Sequence, residues 1–240
     1  MLLKDFKEMI RRTAFCAGAD GNDSCRGVFL EKCGGNLVMA ATNNRRLGFA
    51  QADAGEAFPD FDRIMVSASV LKRIAKSKAD ASTVSIRVSD TEAYFCIGSA
   101  RIATKRLPGK LGGFPQKQDE FPRIFPLSFT VDRLAFLEEL RTVSLVIDPS
   151  LGHPVYASLS KGSLALHTAY DGESADVEDI PCDYSGGKAE AVFNARYLKE
   201  ITEHIHTDCL TVRFATSHLN AAVLPEPRQD YFFLFAQMRR

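Results

Sequence analysis

Two arginines follow a polar turn in the segment ATNNRRLGFA, residues 41–50. Arg45 and Arg46 come directly after Asn43-Asn44, with Leu47, Gly48 and Phe49 behind them. Guanidinium groups beside an apolar residue suit peptide carbonyls, carboxylates or phosphates. Catalysis, DNA binding, peptide binding and a plainly solvated strand end all remain open from this segment alone. A second cationic pattern lies in VSASVLKRIAKS, where Ser69, Lys72, Arg73 and Lys76 recur at helical spacing opposite Val70, Leu71 and Ile74. Lys4, Lys7 and Arg11 stand in the same relation to Phe6, Met9 and Ile10. Basic stripes of this kind suit phosphates without any reading of base edges. Solvated helix faces have the same spacing.

Patterns that would mark an enzyme are missing from the chain. It has no glycine-rich phosphate loop, no G-x-S-x-G elbow and no H-E-x-x-H. His204 and His206 are two apart on an expected helix, so they point to different sides and make a poor metal pair. Asp20–Ser24, DGNDS, starts like a calcium loop but lacks the glycine at the sixth position and a closing glutamate; it reads as a hairpin turn. Cys16 and Cys25 have no convincing base nearby in sequence and read as buried thiols. The chemistry therefore points to binding, and no cofactor or metal is expected.

The elements that position these residues occur twice. The 240-residue chain has 45% hydrophobic and 25% charged residues, no signal pattern and no apolar run long enough to span a membrane. Its six cysteines form no C-x-x-C pair, which suits reduced thiols in a cytoplasm. Net charge is zero, so contact with nucleic acid must rest on local patches. Between Leu107 and Pro126, LPGKLGGFPQKQDEFPRIFP carries enough proline and glycine to break any helix or central strand. It reads as a connector over 109–126 between domains at 1–108 and 127–240. Each side has an amphipathic helix, a hairpin, a second helix and alternating strands. Phe136, Leu140 and Val143 echo Phe6, Ile10 and Thr13, with Asp132 as the expected N-cap. FNARYLKEITEH echoes VSASVLKRIAKS. The fold class is α+β, with antiparallel sheet and two helices per repeat. PLSFTV reads as an opening strand of the second repeat, with no counterpart before Leu2.

Four stretches resemble the bacterial sliding clamp family, the beta subunit of the replicative DNA polymerase. ATNNRRLGFA resembles the family's ATDGHRLA. LPGKLGGFP with RIFP resembles its connector, G-x-F-P followed by R-V-L-P. FNARYLKEI resembles F-N-x-x-Y-L, and YFFLFAQMRR resembles its last strand and M-P-M-R-L tail. The resemblance covers the middle and C-terminal domains of a three-domain protein. It implies two clamp-type domains, each with the sheet outside and two helices on the DNA side. It also implies a non-catalytic processivity factor whose partners are double-stranded DNA, the polymerase catalytic subunit, the clamp loader and repair proteins with short clamp-binding peptides.

By the same resemblance, partner peptides would meet Thr42, Asn44, Arg45, Arg46 and Leu47 from the first segment. Pro115, Arg123 and Ile124 would come from the connector, and Leu234, Ala236, Gln237, Met238 and Arg239 from the tail. Lys4, Lys7, Arg11, Lys72, Arg73 and Lys76 would face DNA, while Leu145 and Val146 would form a ring contact. Asn44 and Arg45 replace the family's Gly and His, and Ala236 and Gln237 replace Met and Pro. These changes imply a shallower, more basic pocket. The basic residues of the second repeat's helices are offset by Asp132, Glu138, Glu139, Glu200 and Glu203. A two-repeat chain is expected as a monomer or a weak dimer through Leu145 and Val146. Two rivals stay open: a divergent clamp-like peptide binder that does not encircle DNA, and an unrelated α+β enzyme.

Overall fold

Residues 1–18, 25–55, 58, 60–113, 117–147, 152–170, 172–216 and 220–238 are described by a computed structural model. The expected turn at Asp20–Ser24 lies outside them. The chain divides into two compact units, Met1–Phe114 and Pro115–Arg240.

The first unit opens with α1 (Leu3–Thr13) and continues with the strands β1 (Gly27–Cys33), β2 (Asn36–Thr42), β3 (Arg46–Asp53) and β4 (Ile64–Ser67). Helix α2 (Ala68–Lys76) follows, then β5 (Ser85–Val88), β6 (Glu92–Ile97) and β7 (Ala100–Leu107). The strands lie in the order β5-β6-β7-β4-β1-β2-β3, with antiparallel pairing throughout. Helix α1 forms because Leu3, Phe6, Met9, Ile10 and Thr13 fall on one stripe, and all five are buried. Each large apolar side chain among them contributes about 1.5–3 kcal/mol on burial. Helix α2 buries Ala68, Leu71, Ile74 and Ala75 and packs on α1. Val70, expected among the apolar residues, is half-exposed: it lies at the edge of the stripe that Leu71, Ile74 and Ala75 bury.

The opening strand is present here only as a stub. Leu2 bridges Thr83, and the Leu3 amide donates to the Ser82 carbonyl. The second unit carries the whole strand.

The connector differs from expectation. A 3-10 turn at Gln118–Glu120 leads into the short helix α3 (Phe121–Ile124), with Pro122 in its first turn. Proline is tolerated there because the first amides of a helix have no intrahelical acceptor to lose. Phe121 and Phe125 are buried, and Phe121 meets Phe232 edge-to-face at 4.9 Å.

The second unit continues with β8 (Leu127–Asp132), α4 (Arg133–Val143), β9 (Pro154–Ser160), β10 (Ser163–Tyr170), β11 (Glu173–Pro181) and β12 (Ala189–Asn194). Helix α5 (Ala195–Glu203) and the strands β13 (Cys209–Phe214), β14 (Asn220–Glu226) and β15 (Tyr231–Ala236) complete it. One run of strands is β15-β14-β13-β8, and a separate sheet is β11-β10-β9-β12. Asp132 caps α4 as expected, its side chain accepting from the Ala135 amide at 2.8 Å. Asn194 does the same for α5. His204 and His206 lie beyond the end of α5 rather than on it, because the helix closes at Glu203 with the His204 amide bonded to Ile201. Burial holds the His204 imidazole below its ordinary pKa, and its ring contacts the Glu200 carbonyl.

The helix layer of the first unit depends on one close approach. A Cβ added at Gly48 would stand 2.7 Å from the Arg12 carbonyl oxygen and 3.1 Å from the Cys16 sulfur. Only a residue without a side chain lets β3 run this near the end of α1. Gly48→Ala should therefore destabilise the protein by about 1–3 kcal/mol in urea unfolding. Gly112→Ala, where an added carbon meets nothing within 4 Å, should shift stability by less than about 0.5 kcal/mol.

Candidate functional site

The residues expected to hold a peptide fall in both units. In the first unit they form a tight, self-capped turn. Asn43 Oδ1 accepts from the Arg45 and Arg46 amides at 3.0 and 2.9 Å. Thr42 Oγ1 donates to the Arg46 carbonyl at 2.7 Å and accepts from the Asn44 amide at 3.0 Å. Asn44 sits in the left-handed region with φ 66°. Asn tolerates that region because its short amide bonds locally, where branched residues clash. Sequence reasoning read Asn43 as a turn residue but left it out of the candidate site, although its side chain is what holds the Arg45 and Arg46 amides.

The two arginines separate. Arg45 is exposed. Arg46 turns back along its own unit, donating through Nη2 to the Phe15 carbonyl at 2.8 Å with its guanidinium 5.2 Å from the Phe15 ring centroid. Leu47 is buried. Phe15 is thus a supporting residue that no spacing in the sequence announces, since 31 positions separate it from Arg46.

In the second unit the tail is held down along its length. Leu234 is buried on β15, and Ala236 pairs with Asn220. Gln237 Nε2 donates to the Ala215 and Asn220 carbonyls at 3.1 and 2.8 Å. The Met238 amide donates to Val192 at 2.9 Å, and the methionine's Cε lies 3.4 Å from where a Gly152 Cβ would be. Met238 is half-buried, Ile124 on α3 is half-buried and Arg123 beside it is exposed. Pro115 and Arg239 lie outside the described residues.

The cationic helices differ between the units. Lys4, Lys72, Arg73 and Lys76 are exposed, and none makes an ion pair among the described residues. Lys7 Nζ is tied to the Ser77 carbonyl at 2.6 Å, which links α1 to the end of α2. Arg11 pairs with Glu8 at 3.2 Å, a surface contact that is weak and leaves its charge near solvent. In the second unit Arg141 pairs with Glu138 and Glu203, and Arg196 with Glu200. Arg133 is taken up by the Thr207 carbonyl. Leu145, in the 3-10 turn after α4, is 84% exposed, and Val146 beside it is half-buried.

Cys16 and Cys25 are both buried, and burial pushes the Cys25 thiol up, away from the reactive thiolate. No group of three or more metal-ligating side chains occurs among the described residues. No helix among them is long and apolar enough to cross a membrane.

Residues 2–116 match the family model for the DNA polymerase III beta subunit, central domain, and residues 119–239 match the model for its C-terminal domain. The chain belongs to the DNA polymerase III beta subunit family. Among curated relatives, the beta sliding clamp of Treponema pallidum is 22% identical over 240 residues, covering 98% of this chain and 64% of the relative. That of Synechocystis is 26% identical over 209 residues, covering 80% and 53%. The chain thus spans less than two thirds of these relatives' length. The crystal structure of the DNA polymerase III subunit beta from Pseudomonas aeruginosa superposes on the whole chain with TM-score 0.88 at 24% identity, covering 66% of that structure. The clamp of the same organism bound to griselimycin gives 0.88 over 64% of its length. At this identity the likeness carries the fold: two clamp-type α+β domains with antiparallel sheets.

Asn44 holds the left-handed conformation that glycine adopts without strain. Asn44→Gly should leave stability within about 0.5 kcal/mol of the parent, whereas Asn44→Val should cost about 1–2 kcal/mol. Chemical denaturation of the three proteins side by side measures both.

Proposed function

We propose that this chain acts as part of a sliding clamp, a non-catalytic processivity factor that encircles duplex DNA in the cytoplasm and tethers polymerase to it. One observation carries the proposal: both units match the family's central and C-terminal domains, in order, across nearly the whole chain. The basic helices of the first unit support it. Lys4, Lys7, Arg11, Lys72, Arg73 and Lys76 are the DNA-facing residues of this reading. Their long stems suit a sliding contact, because they meet phosphates and no base edge.

The second element of the proposal is peptide capture. Thr42, Asn44, Arg45, Arg46 and Leu47 of the first unit, and Arg123, Ile124, Leu234, Ala236, Gln237 and Met238 of the second, are the residues of this reading that take short peptides from the polymerase, the clamp loader and repair proteins. Arg45 supplies an exposed cation for a carboxylate or carbonyl, and Ile124 and Met238 supply apolar surface that is only partly covered. Two apolar peptide side chains, each contributing about 1.5–3 kcal/mol on burial, leave an affinity of about micromolar after ordering costs. Partners that take turns on one clamp need binding of that strength.

Calorimetry with a peptide of the Gln-Leu-x-Leu-Phe type tests the second element. Removal of residues 236–240 should abolish the binding heat, and unchanged affinity would refute it. For DNA, contact with about four to six phosphates predicts a log–log salt slope of about −4 to −5. Changing Lys72, Arg73 and Lys76 to alanine should flatten that slope by about one for each phosphate no longer met. A flat salt response of the parent protein, or preference for one sequence, would count against a clamp.

A further inference from the structure

The strands β5, β6 and β7 of the first unit carry cations around one aromatic ring. Ile86, Ala93 and Phe95 are buried on one face of these strands, where Phe95 meets Phe6 of α1 at 5.7 Å. The alternate residues therefore point away from that helix. Among them Arg87, Tyr94 and Ala103 are register partners across the three strands, and all are exposed. Arg101 and Lys105 flank Ala103 on β7, two places away on either side, and are exposed as well. Arg87, Arg101 and Lys105 make no hydrogen bond or ion pair among the described residues. The Tyr94 hydroxyl donates to Glu92 Oε2 at 2.5 Å. Glu92 is two residues back on the same strand, so this bond lays the ring along β6, and Ala103 beside it is too short to cover it. The second unit also exposes a ring on a sheet, Tyr156 on β9, but its row runs Val192, Tyr156, His167, Asp176 and holds no arginine or lysine.

We propose that this sheet face binds single-stranded DNA: one base stacks on Tyr94, and the phosphates around it meet Arg87, Arg101 and Lys105. Charge complementarity and the open ring together select this occupant. Every unpaired base offers a flat aromatic face and every nucleotide a negative charge, so a ring set among cations fits a strand without reading its sequence. Arg101 and Lys105 stand about 13 Å apart along β7, so they serve different phosphates rather than one. Duplex keeps its bases stacked inside, where Tyr94 cannot reach them, and an acidic peptide would use the charges and leave the ring idle. The site is separate from Lys72, Arg73 and Lys76, which stand on a helix packed against α1. The choice of DNA rests on the clamp reading, since a processivity factor works beside template that is not yet paired. The single-strand site itself rests on the sheet face alone.

Fluorescence anisotropy with a labelled oligothymidylate of about 16 nucleotides, the upper site size of small single-strand binding folds, tests the proposal. The whole chain is used with Lys72, Arg73 and Lys76 changed to alanine, so that the helix cations do not contribute. Three phosphate contacts on a single strand predict a log–log salt slope of about −2. Tyr94→Ala should weaken binding at least about fivefold, the lower end for one stacked base. Tyr94→Phe keeps the ring and should keep the affinity, and Tyr156→Ala should change nothing. Arg101→Ala/Lys105→Ala should lower the slope to about −0.7. All these positions are exposed, and circular dichroism checks that each variant folds. No binding to the oligonucleotide, or binding that Tyr94→Ala leaves intact, would overturn the proposal. So would duplex or polyglutamate bound as tightly as the single strand. Oligouridylate bound more tightly than oligothymidylate would overturn the choice of DNA. Peptide calorimetry on the protein with its helix lysines intact reads the clamp proposal separately. A protein that binds peptide but no single strand refutes only the sheet-face site.

Discussion

The close passage of β3 beneath the end of α1 is the constraint on which much of the first unit rests. Gly48 allows it, and the 3-10 turn at Ala14–Cys16 is thereby seated on the sheet. That turn presents the Phe15 carbonyl and ring, which together hold Arg46. Arg46 in turn closes the Asn43 turn through its amide and carbonyl. A backbone clearance of a few ångströms is therefore transmitted to the surface turn that carries the paired arginines. Arg46 contributes as a structural strut, and Arg45 is the cation that faces solvent.

The two units show one plan used with different charges. Both bury a helix pair against antiparallel strands, with Phe6, Ile10 and Thr13 of the one first helix matched by Phe136, Leu140 and Val143 of the other. In the first unit Lys4, Lys7, Lys72, Arg73 and Lys76 of that pair remain outside ion pairs among the described residues, Lys7 being bonded to a carbonyl, while in the second the arginines are engaged by glutamates or a carbonyl. Surface ion pairs of this kind contribute little to stability. Their consequence is electrostatic: they cancel a field that the first unit keeps. With no net charge on the chain, attraction for a polyanion must come from such local imbalance.

Much of the plan was legible in the sequence, for a physical reason. Periodicity reports burial, and burial is what repeats. Phe6, Met9 and Ile10, and again Phe136, Leu140 and Val143, had to lie on one face of a helix, and they do. Asp132 was legible as a cap because its oxygen lies within reach of an amide three residues on. Proline and glycine marked the connector, but not the helix at Phe121–Ile124, since proline's position within the first turn depends on where neighbouring phenylalanines find a core. The clamp family was likewise legible in four short segments, and the match to both domain models rests on the same order of elements.

Only the tertiary structure decided which of these residues are spent on holding the fold. Lys7 and Arg46 look like free cations in the sequence, yet each is bonded to a carbonyl far along the chain, at Ser77 and Phe15. Gln237 looks like a variable tail residue and instead ties Ala215 and Asn220 together. Side-chain type and local spacing are properties of a few adjacent residues, so the sequence by itself determines helices, caps, turns and the family. Partners across thirty or more positions depend on how the elements pack, and that packing alone separates a binding residue from a structural one.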